Sequence, residues 1–387
     1  MKRTHLLLLT LLSSFPSLGS VIIPGGESKT RGGLGNLSTR GSGALYSSPS
    51  QLTQDKEPLW YIDINWGRAE YSFEVDGKTN NYSFGFPWPI VGYSDESSWG
   101  HWAVSGLIIP PGASSLELKG LNSRETGENL VPLNIRQDSG DKFGFVLVLG
   151  HGLEWRNWRW GWSLHLRRSS LSEEIIDVET GVLLREENLS KYSGRLLLSI
   201  SKNWNSTTLV GIDFSPWHLA RETGNSKTIG LIEYQEKKID DQLTRPISAT
   251  LSLKKNWPAL TLEANLKATY LGNNQKERDL ELDTNDTLDF ALSSSVPFND
   301  GLLILGFGNY QSFLGEGIMN TRASNNKEVR GFSFGDVDAI PHQIYSFGYE
   351  TRVKEIDYLV YLSFLSIFKY YKLATDPPDF TLLMKFW

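Results

Sequence analysis

The sequence predicts an all-β fold, a transmembrane antiparallel β-barrel, and three observations lead there. Apolar and polar residues alternate with period two along nearly the whole chain, the signature of a sheet with one apolar and one polar face. Many alternating segments run to about 9–12 residues, long enough for a tilted strand to cross a bilayer and longer than the usual 5–6 of soluble sheets. Their apolar faces often end in aromatics such as Trp60, Trp66, Trp158, Tyr270 and Tyr358, which suits the two interfacial girdles of such a barrel.

Composition narrows the alternatives. The 387 residues include 13 Trp, 15 Tyr, 18 Phe and 36 Gly, unlike a disordered or coiled-coil chain. Mean hydropathy is −0.29, and there is no series of apolar runs of about 20 residues, so a polytopic helical membrane protein is excluded. A net charge of −6 offers no attraction to nucleic acid. The absence of cysteine removes disulfides, thiol nucleophiles and Cys-bound metals. The six histidines are isolated, without metal-ligand spacing, so no metal and no cofactor are expected.

Along the chain, residues 1–19 read as a signal peptide: Lys2 and Arg3, then apolar Leu6–Leu12, then Ser17-Leu18-Gly19 as a cleavage site before Ser20. The run is too short to span a bilayer, so export is expected. Residues 20–58 are Gly- and Ser-rich, but Ala44, Leu45, Tyr46 and Leu52 are apolar enough to pack inside a larger body. Residues 59–387 then form the barrel. The clearest strand has Trp158, Trp160, Trp162, Leu164 and Leu166 on one face and Arg159, Gly161, Ser163, His165 and Arg167 on the other. A second sets Leu260, Leu262, Ala264, Leu266, Ala268 and Tyr270 against a face with Glu263 and Lys267. Arg159, His165, Arg167, Glu263 and Lys267 are therefore expected to face a water-containing lumen, since lipid tolerates no unpaired backbone and closure is required.

The count is about 14 strands, with 16 as the alternative. They lie near 59–67, 69–76, 101–109, 143–151, 157–168, 192–202, 206–214, 245–256, 259–270, 286–297, 301–310, 343–353, 355–368 and 379–387. Residues 226–236 read as a hairpin arm in an outer loop. Short connections at 151–157, 203–206, 256–258, 299–301 and around Lys354 alternate with long polar ones at 110–141, 169–191, 272–285 and 311–342. Short turns on one side and long loops on the other are the outer-membrane pattern. The chain closes on Phe386-Trp387, which resembles the C-terminal signal read by the outer-membrane barrel assembly machinery.

Within residues 20–58, Gly41-Ser-Gly43-Ala44-Leu45-Tyr46-Ser-Ser48-Pro49-Ser50-Gln-Leu52 resembles the hatch pattern of the FadL-like outer-membrane transporters. Ser48 and Ser50 stand where that family has Asn and Ala. The segment Trp102–Gly112 resembles that family's early strand ending in a Pro-containing turn. The strand–Asn-Trp–strand units at Lys202–Thr208 and Lys255–Thr261 resemble its periplasmic turns. The resemblance implies a 14-stranded barrel plugged by its N-terminal hatch. A hydrophobic small molecule, of long-chain fatty acid or hydrocarbon type, would cross the lipopolysaccharide-bearing outer membrane and leave sideways into lipid. Ala44, Leu45, Tyr46, Ser48, Pro49 and Leu52, with Phe86 and Trp88, are the plug and substrate candidates. An unpaired ladder needs a bulge or proline, so Gly106, Pro110 and Pro111 are the lateral-gate candidates; the prolines could also simply end a strand. A general or structural porin, and a barrel of the same superfamily acting in protein secretion or interaction, are the alternatives.

Catalysis is not expected. No G-x-S-x-G occurs. Ser163 and His165 share a strand face, but same-face neighbours lie about 7 Å apart along a strand, beyond a nucleophile–base bond of about 2.6–3.2 Å.

Overall fold

The structure is a computed structural model. It describes residues 26–55, 57–75, 78–109, 112–123, 131–178, 180–181, 183–229, 234–244, 247–270, 275–277, 280–284, 287–311, 314–322, 328–333, 341–353, 356–367, 372–373 and 380–383. The expected signal peptide, Pro110, Pro111, Phe386 and Trp387 lie outside them.

An N-terminal segment holds a short helix, α1 (Gly26–Thr30), and two 3-10 turns, η1 (Gly41–Tyr46) and η2 (Pro49–Gln54). Pro49 opens η2, where a missing N–H costs nothing. The strands in order are β1 Leu59–Val75, β2 Lys78–Ser97, β3 Gly100–Ile109, β4 Gly112–Ser123, β5 Val131–Trp155, β6 Trp158–Asp177, β7 Leu183–Asn205, β8 Thr208–Ile229, β9 Tyr234–Thr244, β10 Ile247–Trp257, β11 Leu260–Tyr270, β12 Gln275–Glu277, β13 Leu280–Thr284, β14 Thr287–Phe298, β15 Gly301–Gln311, β16 Leu314–Arg322, β17 Glu328–Ser333, β18 Pro341–Val353, β19 Ile356–Ile367, β20 Lys372–Leu373 and β21 Phe380–Leu383.

Seventeen of these make one antiparallel sheet. Two pairs are halves of single strands. β9 and β10 flank residues 245–246 and hold the same register on β8, with Leu219 opposite Thr244 and Ser215 opposite Ser248. β3 and β4 hold one register on β5, with Ile109 opposite Gly144 and Gly112 opposite Asp141. Joining those pairs and setting aside the two-residue β20 leaves fourteen strands of the seventeen segments. The last strand returns to the first, with Phe380–Leu383 paired to Ser72–Val75. Between β19 and the β20–β21 hairpin no ladder is seen among the described residues. A separate four-stranded sheet, β12-β13-β16-β17, lies in the connections after β11 and β15.

The sequence-based strand list errs twice at the start, and the errors cancel in the count. Residues 59–67 and 69–76 are one 17-residue strand, β1, because Gly67-Arg68 continues the ladder instead of turning. The whole of β2 is absent from that list, because Pro87 and Pro89 stand in mid-strand, where proline is disfavoured. They sit inside a strand that is paired with β1 from Lys78 to Ser94. The long loops expected at 110–141 and 169–191 are largely strand: β5 to β8 run 25, 20, 23 and 22 residues. Their outer halves carry polar groups on both faces, so no alternation marks them. The connections at 272–285 and 311–342 likewise hold β12, β13, β16 and β17. Residues 226–236, expected as one hairpin arm in an outer loop, hold instead the end of β8 and the start of β9 of the main sheet, with 230–233 outside the described residues.

Polarity is inverted relative to a soluble fold. Trp160, Trp162, Leu198, Ile212, Leu251, Leu262, Leu292 and Phe347 are exposed. Ser163, Ser199, Ser201, Asp213, Ser252, Glu263, Asn265, Asp289 and Ser293 are buried. A sheet that turns its apolar residues outward and its polar ones inward has hydrocarbon as its outer solvent. The short-turn end gathers Trp99, Trp155, Trp158, Trp204, Trp257 and Phe298, all exposed, as an interfacial girdle requires.

Candidate functional site

The interior of the sheet is occupied by residues 26–55, and most of that segment is buried. Its polar anchors reach seven strands. The Asn36 amide donates to Asp213 Oδ2 on β8 at 2.9 Å, and the Leu37 N–H donates to Glu263 Oε1 on β11 at 2.9 Å. Ser38 donates to the other Glu263 oxygen. Arg31 donates to Ser295 on β14 at 2.9 Å and lies 4.0 Å from Glu350 on β18. The Gly32 N–H donates to Ser346, also on β18, at 3.2 Å. Tyr46 Oη meets Ser105 of β3 at 2.8 Å. Burial pushes the Tyr46 phenol up to about 12, so it stays neutral. Within the segment, Glu27 accepts the Arg40 N–H at 2.8 Å and Asp55 accepts the Gly41 N–H at 2.7 Å. Burial pushes Glu27 from 4.5 up to about 7, against the opposing Arg40 N–H and Arg31 charge.

Ser48 and Ser50, the two departures from the resembled pattern, meet matching hydroxyls on β7. Ser48 lies 2.9 Å from Ser199, Ser199 donates to Ser50 at 2.8 Å, and Ser50 donates to Ser201 at 3.0 Å. Gln51 donates to Ser201 at 2.9 Å. All five side chains are buried, and each finds a partner, which burial of polar groups demands. Nothing in the sequence pattern pairs these serines across about 150 residues.

Glycines on the inner wall make room for the segment. A Cβ at Gly161 would lie 2.3 Å from the Pro49 carbonyl carbon, one at Gly150 would lie 2.4 Å from Leu45 Cδ2, and one at Gly211 would lie 2.6 Å from Leu37 Cδ2. Gly92, Gly306 and Gly348 are crowded in the same way by Ser42, by Gly32 with Thr30, and by Thr30.

Against this polar setting stands one apolar cluster. Ala44, Leu45, Tyr46 and Leu52 of the segment pack with Ile90, Ala103, Leu107 and Val148 of β2, β3 and β5. The cluster adjoins a break in the β2 ladder. β2 pairs with β3 from Ser97 opposite Gly100 to Ile90 opposite Leu107, and with β4 from Gly85 opposite Ala113 onward. Among the described residues no pairing joins Phe86–Pro89 to β3 or β4, and across the gap the register shifts by one, from Ile90 opposite Leu107 to Gly85 opposite Ala113. Pro87 and Pro89, which have no N–H to give to a ladder, stand in this stretch. Phe86 and Trp88 keep their partners Gly67 and Asn65 on β1. Gly106 lies inward of the break, paired with Val91 and Leu147.

Of the lumen candidates, Glu263 anchors the segment. Lys267 lies opposite Thr250 and Asp289. Arg159 and Arg167 share the inward face of β6 with Ser163 and His165. Ser163 Oγ and His165 Nε2 are 3.0 Å apart, far closer than the roughly 7 Å expected from their spacing along the strand. Side-chain tips lean along the strand, so Cα spacing does not set their separation. Both donate to one acceptor, the Leu45 carbonyl, at 2.8 and 3.0 Å. A ring nitrogen that donates there cannot take the serine proton, so the pair fastens η1 and is not a nucleophile with its base. A separate recess of about 350 Å³ lies by the girdle, lined by Trp99, Trp102, Leu149, His151 and Trp162, among side chains of the apolar belt.

No protein-family model matches the chain, and no curated protein matches it in sequence. Solved structures do match in three dimensions. The P. putida toluene transporter TodX superposes with a TM-score of 0.60 at 13% identity, over 92% of this chain and 94% of that one. A Pseudomonas aeruginosa FadL homologue gives 0.58 at 11% identity, over 92% and 94%. The Ralstonia pickettii toluene transporter TbuX gives 0.51 at 10%, over 90% and 98%. At such identities the likeness is one of fold: this chain has the β-barrel fold of these transporters.

Proposed function

We propose that the chain is an outer-membrane uptake channel for hydrophobic small molecules, gated by residues 26–55 as a plug and emptying sideways into lipid. The observation that carries this reading is the run of apolar side chains from the plug (Ala44, Leu45, Tyr46, Leu52) through Ile90, Ala103 and Leu107 to the broken ladder between β2 and β3–β4. A polar solute gains nothing from such a lining. An apolar one would pass from outside to bilayer without crossing the aqueous side, which the hydrophobic effect favours. The toluene transporters named above, of the same fold, lend a monoaromatic substrate class, and the resemblance of the hatch pattern adds the long-chain acid. The short-turn end, with its girdle, then faces the periplasm. A general porin would need an open lumen, and the burial of residues 26–55 against the inner wall favours the plugged channel over it.

The test uses the absence of native cysteine. Ser48 and Ser199 have Oγ atoms 2.9 Å apart, so the Ser48→Cys/Ser199→Cys pair can cross-link plug to wall. Uptake of a radiolabelled monoaromatic or long-chain acid should stop on oxidation and return with reductant. Uptake that is equal in both states would sink plug gating.

A further inference from the structure

A basic residue, Asn and Trp recur at three successive short turns: Arg156-Asn157-Trp158 between β5 and β6, Lys202-Asn203-Trp204 before the β7–β8 turn, and Lys255-Asn256-Trp257 before the β10–β11 turn. The strands follow one another in the sheet, with β6 beside β7 and β8 beside β10, so the triplets form one arc at the girdle. Each cation sits on an indole. Arg156 Cζ is 4.8 Å from the Trp155 ring, Lys202 Nζ is 4.6 Å from the Trp158 ring of the preceding triplet, and Lys255 Nζ is 5.8 Å from the Trp257 ring. Lys255 also donates to Thr207 and Thr208 of the neighbouring turn at 2.8 and 3.0 Å. The Asn256 N–H reaches the Thr207 carbonyl at 2.7 Å. The turns thus hold one another in place.

The charges are not spent on carboxylates. Among the described residues none of these three cations forms an ion pair, although the exposed Glu154 lies in the same turn. Toward the other end of the same strands Lys191 is paired with Glu222 at 2.8 Å and Arg221 with Asp240 at 2.9 Å. Indole rings settle at headgroup depth, and a cation on a ring face keeps protons free for a further acceptor. We propose that this arc is a binding surface for anionic phospholipid headgroups of the leaflet at the short-turn end, with the Arg and Lys groups on the lipid phosphates. The inference concerns the outer wall and stands apart from what passes through the lumen.

The test is native mass spectrometry of the full-length protein in detergent, titrated with phosphatidylglycerol and phosphatidylcholine of the same chains. Wild type should favour the anionic lipid, with a loss of about fivefold for each charge removed. R156Q/K202Q/K255Q should lose the preference, and R156K/K202R/K255R should keep it. K238Q, on the exposed side of β9, should not change it. Equal binding of the two lipids by wild type, or full preference in the triple Gln variant, overturns the proposal. So does complete displacement of phosphatidylglycerol by millimolar inorganic phosphate, which would make the arc a plain anion site. If the triple Gln variant fails to fold, the wild-type ratio and the charge-keeping variant still decide.

Discussion

Single atoms on the plug–wall boundary decide whether the plug stays docked. Glu263 accepts both the Leu37 N–H and the Ser38 hydroxyl. Glu263→Ala should orphan a buried N–H, at about 1–3 kcal/mol, seen as faster amide exchange at Leu37. Glu263→Gln, which keeps an acceptor, should cost less. At Gly161 a Cβ has nowhere to go, so Gly161→Val should expel η2 and open ion-conducting events in planar bilayers. Gly106→Ala, whose nearest neighbour is the Val91 carbonyl at 4.0 Å, should be silent. Glu27 gives the boundary a pH dependence. Its folded value of about 7 lies above its ordinary 4.5, so its contribution to docking is full below about pH 4.5 and is lost as pH rises through 7. Plug opening, read as conductance, should therefore rise from pH 5 to pH 8 in wild type and stay flat in Glu27→Gln. Of these residues the sequence offered Glu263 as a lumen group but hid its partner, because a backbone N–H leaves no pattern.

Elements with an apolar face were legible, and elements without one were not. β6 and β11 stand where their alternation placed them, because lipid contact demands an unbroken apolar stripe. β2 escaped because two prolines stand in mid-strand, where the pattern disfavours them. The outer halves of β5 to β8 escaped because water on both faces imposes no alternation. The prolines of β2 carry the next prediction. Pro87→Thr/Pro89→Thr supplies two N–H donors in the stretch that the ladder skips. If the break is an exit, the double variant should cut uptake of an apolar probe several-fold while plug cross-linking stays intact. Unchanged uptake would move the exit elsewhere.

At the scale of the molecule, the outward apolar belt and inward polar lining predict that the protein stays monodisperse only in detergent or lipid. Removal of residues 26–55 should leave the sheet foldable and raise its single-channel conductance well above wild type. A variant that conducts no more than wild type would argue against a plug. The barrel class was readable from periodicity alone, whereas the strand total came right only because one split strand offset one missed strand. The seat of the plug was not, since it is built from Ser and Gly, the residues with least to say in a pattern. Those glycines have a further bearing on kinship. The inner wall is hollowed at Gly92, Gly150, Gly161, Gly211, Gly306 and Gly348 to the contour of one particular insert. Lock and key were cut together, so a stopper grafted from a cousin barrel should jam or rattle until its socket is carved to match.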